Sequence, residues 1–125
     1  MDATQALADL TEISSQVEAA VLFDESGAVT ASTLGDEAAR ALAGAAAELL
    51  DRAGSFAGGE VTQVEASTPE GSVFAVTDGA RRIAATTSAD PTIGLVFYDL
   101  KSCLRGAGEE KPRRRRTTKK AAGEA

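Results

Sequence analysis

The chain has 125 residues, of which 43% are hydrophobic, and its formal net charge at pH 7 is −6. This length predicts one domain that buries about two-thirds of the surface exposed by the unfolded chain. The chain contains no histidine and one cysteine, Cys103. This composition excludes nucleophile–histidine pairs, zinc sites of ordinary composition and an intrachain disulfide. We therefore expect a cytoplasmic protein that is not an enzyme and needs no cofactor or metal.

The net charge conceals two segments of opposite sign. Residues 1–108 carry six basic and sixteen acidic side chains, whereas residues 109–125 carry seven basic and three acidic ones. The second segment, EEKPRRRRTTKKAAGEA, has no large apolar residue and cannot bury enough surface to offset the entropy of ordering. The sequence therefore predicts a folded domain over 1–108 and a disordered basic tail over 109–125.

The N-terminal third predicts a helix followed by a β-hairpin. Asp2 is a candidate N-cap. Apolar residues then recur at helical spacing, at Leu7, Leu10, Ile13 and Val17. Residues 19–23 and 28–32 read as strands, and the acidic segment DESG between them reads as a turn in which Asp24 bonds to its own backbone rather than to a metal ion. The first strand is apolar on both faces, so we expect it inside the sheet.

A central helix and three further strands follow. The segment DEAARALAGAAAELLDRAG, residues 36–54, predicts a helix with Asp36 as its N-cap and Gly54 at its end. The strands are predicted over residues 61–67, 72–78 and 82–87, with tight turns at TPEG and Gly79 between them.

A last helix completes the predicted domain. It begins with Asp90 as N-cap and Pro91 at the first helical position and ends near residues 106–108. Its apolar side carries Ile93, Val96, Phe97, Leu100 and Leu104. Cys103 is expected as a buried residue of this helix rather than a reactive thiol. The resulting order, α-β-β-α-β-β-β-α, predicts an α+β sandwich with one five-stranded antiparallel sheet and helices on its faces.

The central helix carries two apolar stripes, although one stripe would be enough to pack the helix on a core. The first, which we assign to the sheet, consists of Ala38, Leu42, Ala45, Leu49 and Ala53. The second, about 100° further round the helix, consists of Ala39, Ala43, Ala46 and Leu50. Mid-helix Gly44 costs about 1 kcal/mol relative to alanine, which close packing would offset. The simpler alternative is harmless alanine on an exposed surface; the interpretation we favour is a contact with a second copy.

The strand over residues 61–67 adds to this dimer hypothesis. If it lies at the sheet edge, its unpaired backbone groups invite pairing with another chain. The predicted dimer interface therefore combines helix and strand residues, namely Ala39, Ala43, Gly44, Ala46, Leu50, Val61, Gln63 and Glu65.

The chain resembles the roadblock family, the dynein light-chain type that also occurs in bacteria. The resemblance lies in the hairpin VEAAVLFDESGAVTAS, the helix EAARALAGAAAELL, the strand pair VTQVEASTPEGSVFAVTDG and the closing segment RRIAATTSADPTIGLVFYDL. It implies a profilin- and longin-like sheet of order 2-1-5-4-3, with the central helix on one face and both terminal helices on the other. It also implies dimerisation through the central helix and third strand.

The resemblance further implies a noncatalytic scaffold or regulator of a small Ras-like GTPase, with a sensor-kinase-like protein as a further partner. On that basis we expect the paired central helices to form the partner-binding platform. The residues that we assign to it, besides Gly44, are Glu37, Arg40, Glu48, Asp51 and Arg52. Arg40 reads as a surface charge rather than as an arginine finger.

The basic tail allows other functions. Four arginines precede Thr117 and Thr118, which are candidate phosphorylation sites for a basophilic kinase. Alternatively, the tail is solvated and lies loosely on its own acidic domain. A rival hypothesis makes it a tether to nucleic acid or anionic membrane, although it lacks aromatic residues for base stacking and an acylation motif. A small-molecule sensor is a third alternative, disfavoured by the lack of convergent polar groups.

Overall fold

The computed structural model describes residues 2–108, which form three helices and a five-stranded sheet. The elements are α1 (Ala3–Ile13), β1 (Val17–Asp24), β2 (Val29–Ser32), α2 (Asp36–Ala57), β3 (Gln63–Thr68), β4 (Gly71–Thr77), β5 (Arg81–Thr87) and α3 (Ile93–Gly108). The strand order is β2-β1-β5-β4-β3, and all neighbours are antiparallel. The predicted element order and sheet order are confirmed. The predicted tail lies outside the described residues.

The sheet separates two hydrophobic cores. On one face, α1 and α3 pack over a core that includes Phe74 and Phe97, whose rings meet edge to face with centroids 5.0 Å apart. On the other face, α2 covers a core that includes Val21 and Phe23. Strand β1 contributes side chains to both cores and lies between β2 and β5, inside the sheet as predicted. Among the helices of residues 2–108, none has the length and apolarity needed to cross a lipid bilayer.

Helix α1 begins as predicted but ends earlier than its apolar pattern indicated. The Asp2 carboxylate accepts a hydrogen bond from the Gln5 N–H at 2.8 Å, which confirms Asp2 as the N-cap. Val17, assigned to the helical pattern, instead begins β1. Ile13, the last residue of α1, is 73% exposed and does not pack in the core.

Helix α2 starts and stops at other residues than predicted. Its N-cap is Gly35, so Asp36 is the first helical residue rather than the cap. The helix continues through Gly54 to Ala57 and ends at Gly58, whose φ of 74° is left-handed. The Gly58 N–H donates to the Gly54 carbonyl at 3.1 Å and so closes the helix.

Helix α3 starts later than predicted. The Thr92 carbonyl accepts the first intrahelical bond, from the Val96 N–H at 3.0 Å, so Asp90 and Pro91 lie in the preceding loop. Asp90 adopts a φ of 59°, which excludes it as the N-cap. The side-chain carbonyl of Gln16 accepts from the Thr92 N–H at 2.6 Å and so connects the start of α3 to the segment after α1.

The turn between β1 and β2 is held by Asp24, as predicted. One carboxylate oxygen, Oδ1, accepts hydrogen bonds from the Ser26 hydroxyl and the N–H groups of Ser26 and Ala28. These bonds, the Ser26 hydroxyl first and the Ala28 N–H second, lower the pKa of Asp24 below its ordinary value of 3.8. The carboxylate therefore holds the turn more strongly when it is ionised.

We expect the free energy of unfolding of Asp24→Asn to fall less steeply with decreasing pH than that of the wild type. A folded-state pKa below the unfolded one contributes stability that is present above the unfolded pKa and is lost as pH falls through the folded value. Urea unfolding between about pH 2 and pH 6 measures the slope. Glu25→Gln is the control and should keep the wild-type slope, since Glu25 makes no such bonds. An unchanged slope in Asp24→Asn would contradict the prediction.

Candidate protein interaction surface

The inner face of α2 is covered by its own sheet. Ala39, Ala43, Ala46 and Leu50 are at most 5% exposed and pack in the core with Phe23. The prediction that these four residues lie at a dimer surface is therefore wrong. The physical reason is close packing: the buried side chains of this sheet face are mostly small, namely Val21, Ala75 and Ala84 beside Phe23, so a helix stripe made mostly of alanine can approach the sheet closely.

The stripe that was assigned to the sheet lies instead on the flank of α2. Ala38 and Ala45 are exposed and Leu49 is half-buried, whereas Leu42, also half-buried, packs at the margin of the sheet-side core as predicted. Phe56, 94% exposed, continues this line at the C-terminal end of the helix. Sequence reasoning missed Phe56 because it ended the helix at Gly54. Two apolar stripes are present, as predicted, but the one that is buried against the sheet is the stripe of Ala39, Ala43, Ala46 and Leu50.

The side of α2 that faces away from the sheet is polar, and the residue at its centre, Gly44, has no side chain. The predicted partner-binding residues are all exposed there, namely Glu37, Arg40, Glu48, Asp51 and Arg52. Glu48 and Arg52 form an exposed ion pair of 2.9 Å, which contributes little to stability. Gly44 is exposed between them, and a Cβ added there would meet no atom within 4 Å. We call the exposed stripe and this polar side together the α2 outer face. The assignment of these residues to partner binding stays a prediction.

Strand β3 lies at the sheet edge, as predicted, and within residues 2–108 it pairs only with β4. The Thr62 carbonyl accepts from the Thr77 N–H at 2.9 Å. Because hydrogen-bonded positions alternate along an antiparallel ladder, the main-chain groups of Gln63, Glu65 and Ser67 point away from β4. The edge therefore offers unpaired donors and acceptors to another strand.

The side chains of this edge divide between the two sheet faces. Val61 and Val64 pack against the α2-side core. Gln63 and Glu65 are half-buried on the opposite face, where Glu65 lies across from Phe74 of β4. The predicted roles of Val61, Gln63 and Glu65 in dimerisation stay predictions.

A second surface feature, the α1–α3 groove, was missed by sequence reasoning. This groove, of about 330 Å³, lies between the two helices on the sheet face opposite α2. Its lining includes Asp9, Leu10, Ile13, Tyr98, Asp99 and Cys103. Asp99 is only 9% exposed. The available signal was a carboxylate inside the apolar run of α3.

Cys103 lies at the base of the α1–α3 groove, and its position confirms the predicted buried helix residue. Its thiol donates to the Ala6 carbonyl at 3.4 Å. Burial, and secondarily the negative charge of Asp9, raises the pKa of this thiol to about 11. The thiol is therefore protonated at neutral pH.

Several solved structures have the same fold as this chain. No family model and no curated protein matches the chain. A roadblock/LC7 domain from Streptomyces avermitilis is 20% identical with a TM-score of 0.77, over 88% of this chain and 98% of that one. The gliding protein MglB from Thermus thermophilus is 16% identical with a TM-score of 0.64, over 84% of each chain. An MglB structure with a tetrameric arrangement is 16% identical with a TM-score of 0.65, over 84% of each chain. The chain therefore has the fold of the roadblock domains, as its motifs indicated.

Proposed function

We propose that this protein is a noncatalytic homodimeric scaffold that binds and regulates a small Ras-like GTPase through its central helices. The observation that carries the proposal is the α2 outer face, where exposed small and apolar residues lie beside exposed charges and nothing in residues 2–108 covers them. The similarity to MglB and the roadblock resemblance support it. We further propose a cytoplasmic location, with a sensor-kinase-like protein as second partner.

The proposed dimer brings together two copies of the α2 outer face and two β3 edges. Half-exposed Leu42 and Leu49 and exposed Phe56 supply apolar area, while Gly44 permits close approach of the two helices. The tetrameric arrangement of an MglB structure supports assembly in this fold. This contact would bury Leu49 and Phe56, which do not belong to the α2-side core of their own chain.

Charge selects the register of the proposed strand pairing. A twofold axis at Glu65 would place two carboxylates directly opposite each other, which is unfavourable. An axis at Val64 instead places Gln63 opposite Glu65 of the second copy, twice, as amide–carboxylate pairs. Both residues have main-chain groups pointing outward, so this register also forms ladder hydrogen bonds. We therefore propose the register centred on Val64.

The GTPase would lie on the platform that the two α2 helices form. The exposed charges Glu37, Arg40, Glu48, Asp51 and Arg52 would contact it where the pairing of the two helices leaves them uncovered. The acidic domain favours a partner with a basic face, chiefly by raising the rate of encounter. Regulation would come from positioning the switch loops of the GTPase, which holds its own catalytic groups.

A capture experiment tests the function. The immobilised full chain, a chain ending at residue 108 and the Arg40→Glu variant are each exposed to lysate of the source organism. We expect a small GTPase on the first two only, and a titration of that purified GTPase, loaded with GDP or a GTP analogue, should reproduce the pattern. Arg105→Glu, at an exposed position of α3, is the matched control and should bind normally.

The same experiment separates the rival function. If the captured partner is nucleic acid or anionic membrane, and deleting residues 109–125 abolishes its binding in a strongly salt-dependent manner, the tail is a tether. That result, or the absence of any GTPase, would overturn the scaffold proposal.

A further inference from the structure

Most of the large apolar side chains that are exposed in residues 2–108 belong to α1 and α3, the two helices that share one side of the sheet. Ile13, at the end of α1, is 73% exposed, and Leu95 and Tyr98, in the first turns of α3, are 49% and 64% exposed. Ile93, the first residue of α3, is exposed as well, and only Phe56 lies on the α2 side. Exposed apolar side chains that are grouped in this way are typical of a protein interaction site.

These side chains lengthen the α1–α3 groove. Ile13 and Tyr98 line it directly, one from each helix. Leu95 is three residues before Tyr98 and four before Asp99, so it continues the same face of α3 by one turn. From Leu95 to Gly106, which also lines the groove, α3 extends for about 16 Å. A groove of this length between two helices, with a buried apolar floor, fits a third helix of about three turns.

The groove carries negative charge. Within residues 2–108, the side chains that line it include Asp9 and Asp99 but neither lysine nor arginine. Arg105 contacts one lining residue, as its Nη2 atom donates to the Ser102 hydroxyl at 3.2 Å, but its side chain remains exposed. The charge of Asp9 acts inside the groove, since after the larger effect of burial it also raises the pKa of Cys103. Basic groups are therefore favoured in an occupant and acidic groups are disfavoured.

We propose that the α1–α3 groove binds an amphipathic helix of a partner protein other than the GTPase, with an apolar stripe flanked by lysine or arginine. The stripe would cover Ile13, Leu95 and Tyr98, and the basic groups would pair with Asp9 and Asp99. A second copy of the groove would bring like carboxylates together, and an anionic membrane would repel them, so charge disfavours both. The site lies on the sheet face opposite α2 and does not compete with the proposed GTPase platform.

Photo-cross-linking from position 98 identifies the occupant. The photoreactive residue p-benzoylphenylalanine replaces exposed Tyr98 in the full chain, which is produced in the source organism, and the cross-linked peptide is sequenced. We expect a segment of another protein whose apolar residues recur at helical spacing and are flanked by lysine or arginine. The same photoreactive residue in place of Phe56, on the opposite side of the sheet, is the control and should not capture this segment.

The captured segment, made as a synthetic peptide, then measures affinity for the full chain by fluorescence anisotropy. We expect the dissociation constant to rise at least about tenfold when Ile13 and Leu95 are both replaced by serine, because apolar contact area is lost. Asp9→Asn should raise it about fivefold, because one charge pair is lost. Phe56→Ser, which removes an exposed apolar side chain from the other side of the sheet, is the matched control and should bind normally.

The remaining outcomes overturn the proposal. Cross-links that join Tyr98 positions only to a second copy, to residues 109–125 or to the GTPase identify a different occupant. A captured segment that is acidic or not amphipathic contradicts the stated chemistry, and so does the absence of any cross-link. An affinity that is unchanged both in the double serine variant and in Asp9→Asn, with circular dichroism confirming that each is folded, shows that the segment binds elsewhere.

Discussion

Gly71→Ala is expected to destabilise the domain by about 3 kcal/mol, through overpacking against main chain. A Cβ at this position, the first residue of β4, would overlap the carbonyl oxygen of Thr87 on β5. That atom belongs to the ladder in which Ser72 pairs with Thr87, so it cannot move as a flexible side chain would. Urea unfolding followed by circular dichroism measures the loss.

Gly44→Ala is the matched control for Gly71→Ala. A Cβ at Gly44 meets nothing within 4 Å, so in the monomer the substitution should stabilise the helix by about 1 kcal/mol. The same glycine-to-alanine substitution is thus expected to lower the stability of the domain at Gly71 and to raise it at Gly44. A wild-type unfolding midpoint in Gly71→Ala would show that β4 and β5 do not approach as closely as described.

Gly44→Glu is expected to dissociate the proposed dimer without unfolding the monomer. The glutamate fits in open space in one chain and is the better helix former, but in the proposed α2 contact it places a charge between two closely packed helices. Burying that unpaired charge should raise the dimer dissociation constant by at least about 100-fold. Sedimentation equilibrium over a concentration series measures the constant, and circular dichroism monitors the fold.

Ala8→Glu, an exposed position on α1, is the control for Gly44→Glu and should self-associate like the wild type. A substitution at Ala43 is unsuitable, because Ala43 is buried against the sheet and a large polar residue there would unfold the monomer. Unchanged self-association of Gly44→Glu would exclude the α2 outer face as the interface. A wild-type chain that stays monomeric throughout would exclude the homodimer itself.

The architecture was predictable because its signals are local. Alternation and turn residues located the strands, and the Asp24 turn and the Asp2 cap each depend on atoms a few residues apart. Helix ends were less predictable: Gly54 and Asp90 are residues of the right type at the wrong positions, since the actual ends are Gly58 and Thr92.

The surfaces were less predictable than the fold because they depend on which elements meet. Both stripes of α2 are apolar, so hydrophobicity alone could not decide between them; the fit of the alanine stripe to the small side chains of this sheet face, such as Ala75 and Ala84, decided it. The α1–α3 groove joins residues about ninety positions apart, Asp9 and Asp99, and no short-range pattern links them. Burial of Asp99 becomes visible only when the helices are paired.

The placement of α2 alone on one sheet face has a consequence for valency. If two copies associate through α2 and the β3 edge, their sheets join edge to edge, so both α1–α3 sides lie on the face opposite the α2 platform and each dimer displays two copies of everything attached there. A polymeric or clustered target could then engage both copies at once, and its avidity would exceed the affinity of either copy by orders of magnitude. Such a molecule would respond to the local density of its target more steeply than a single chain could.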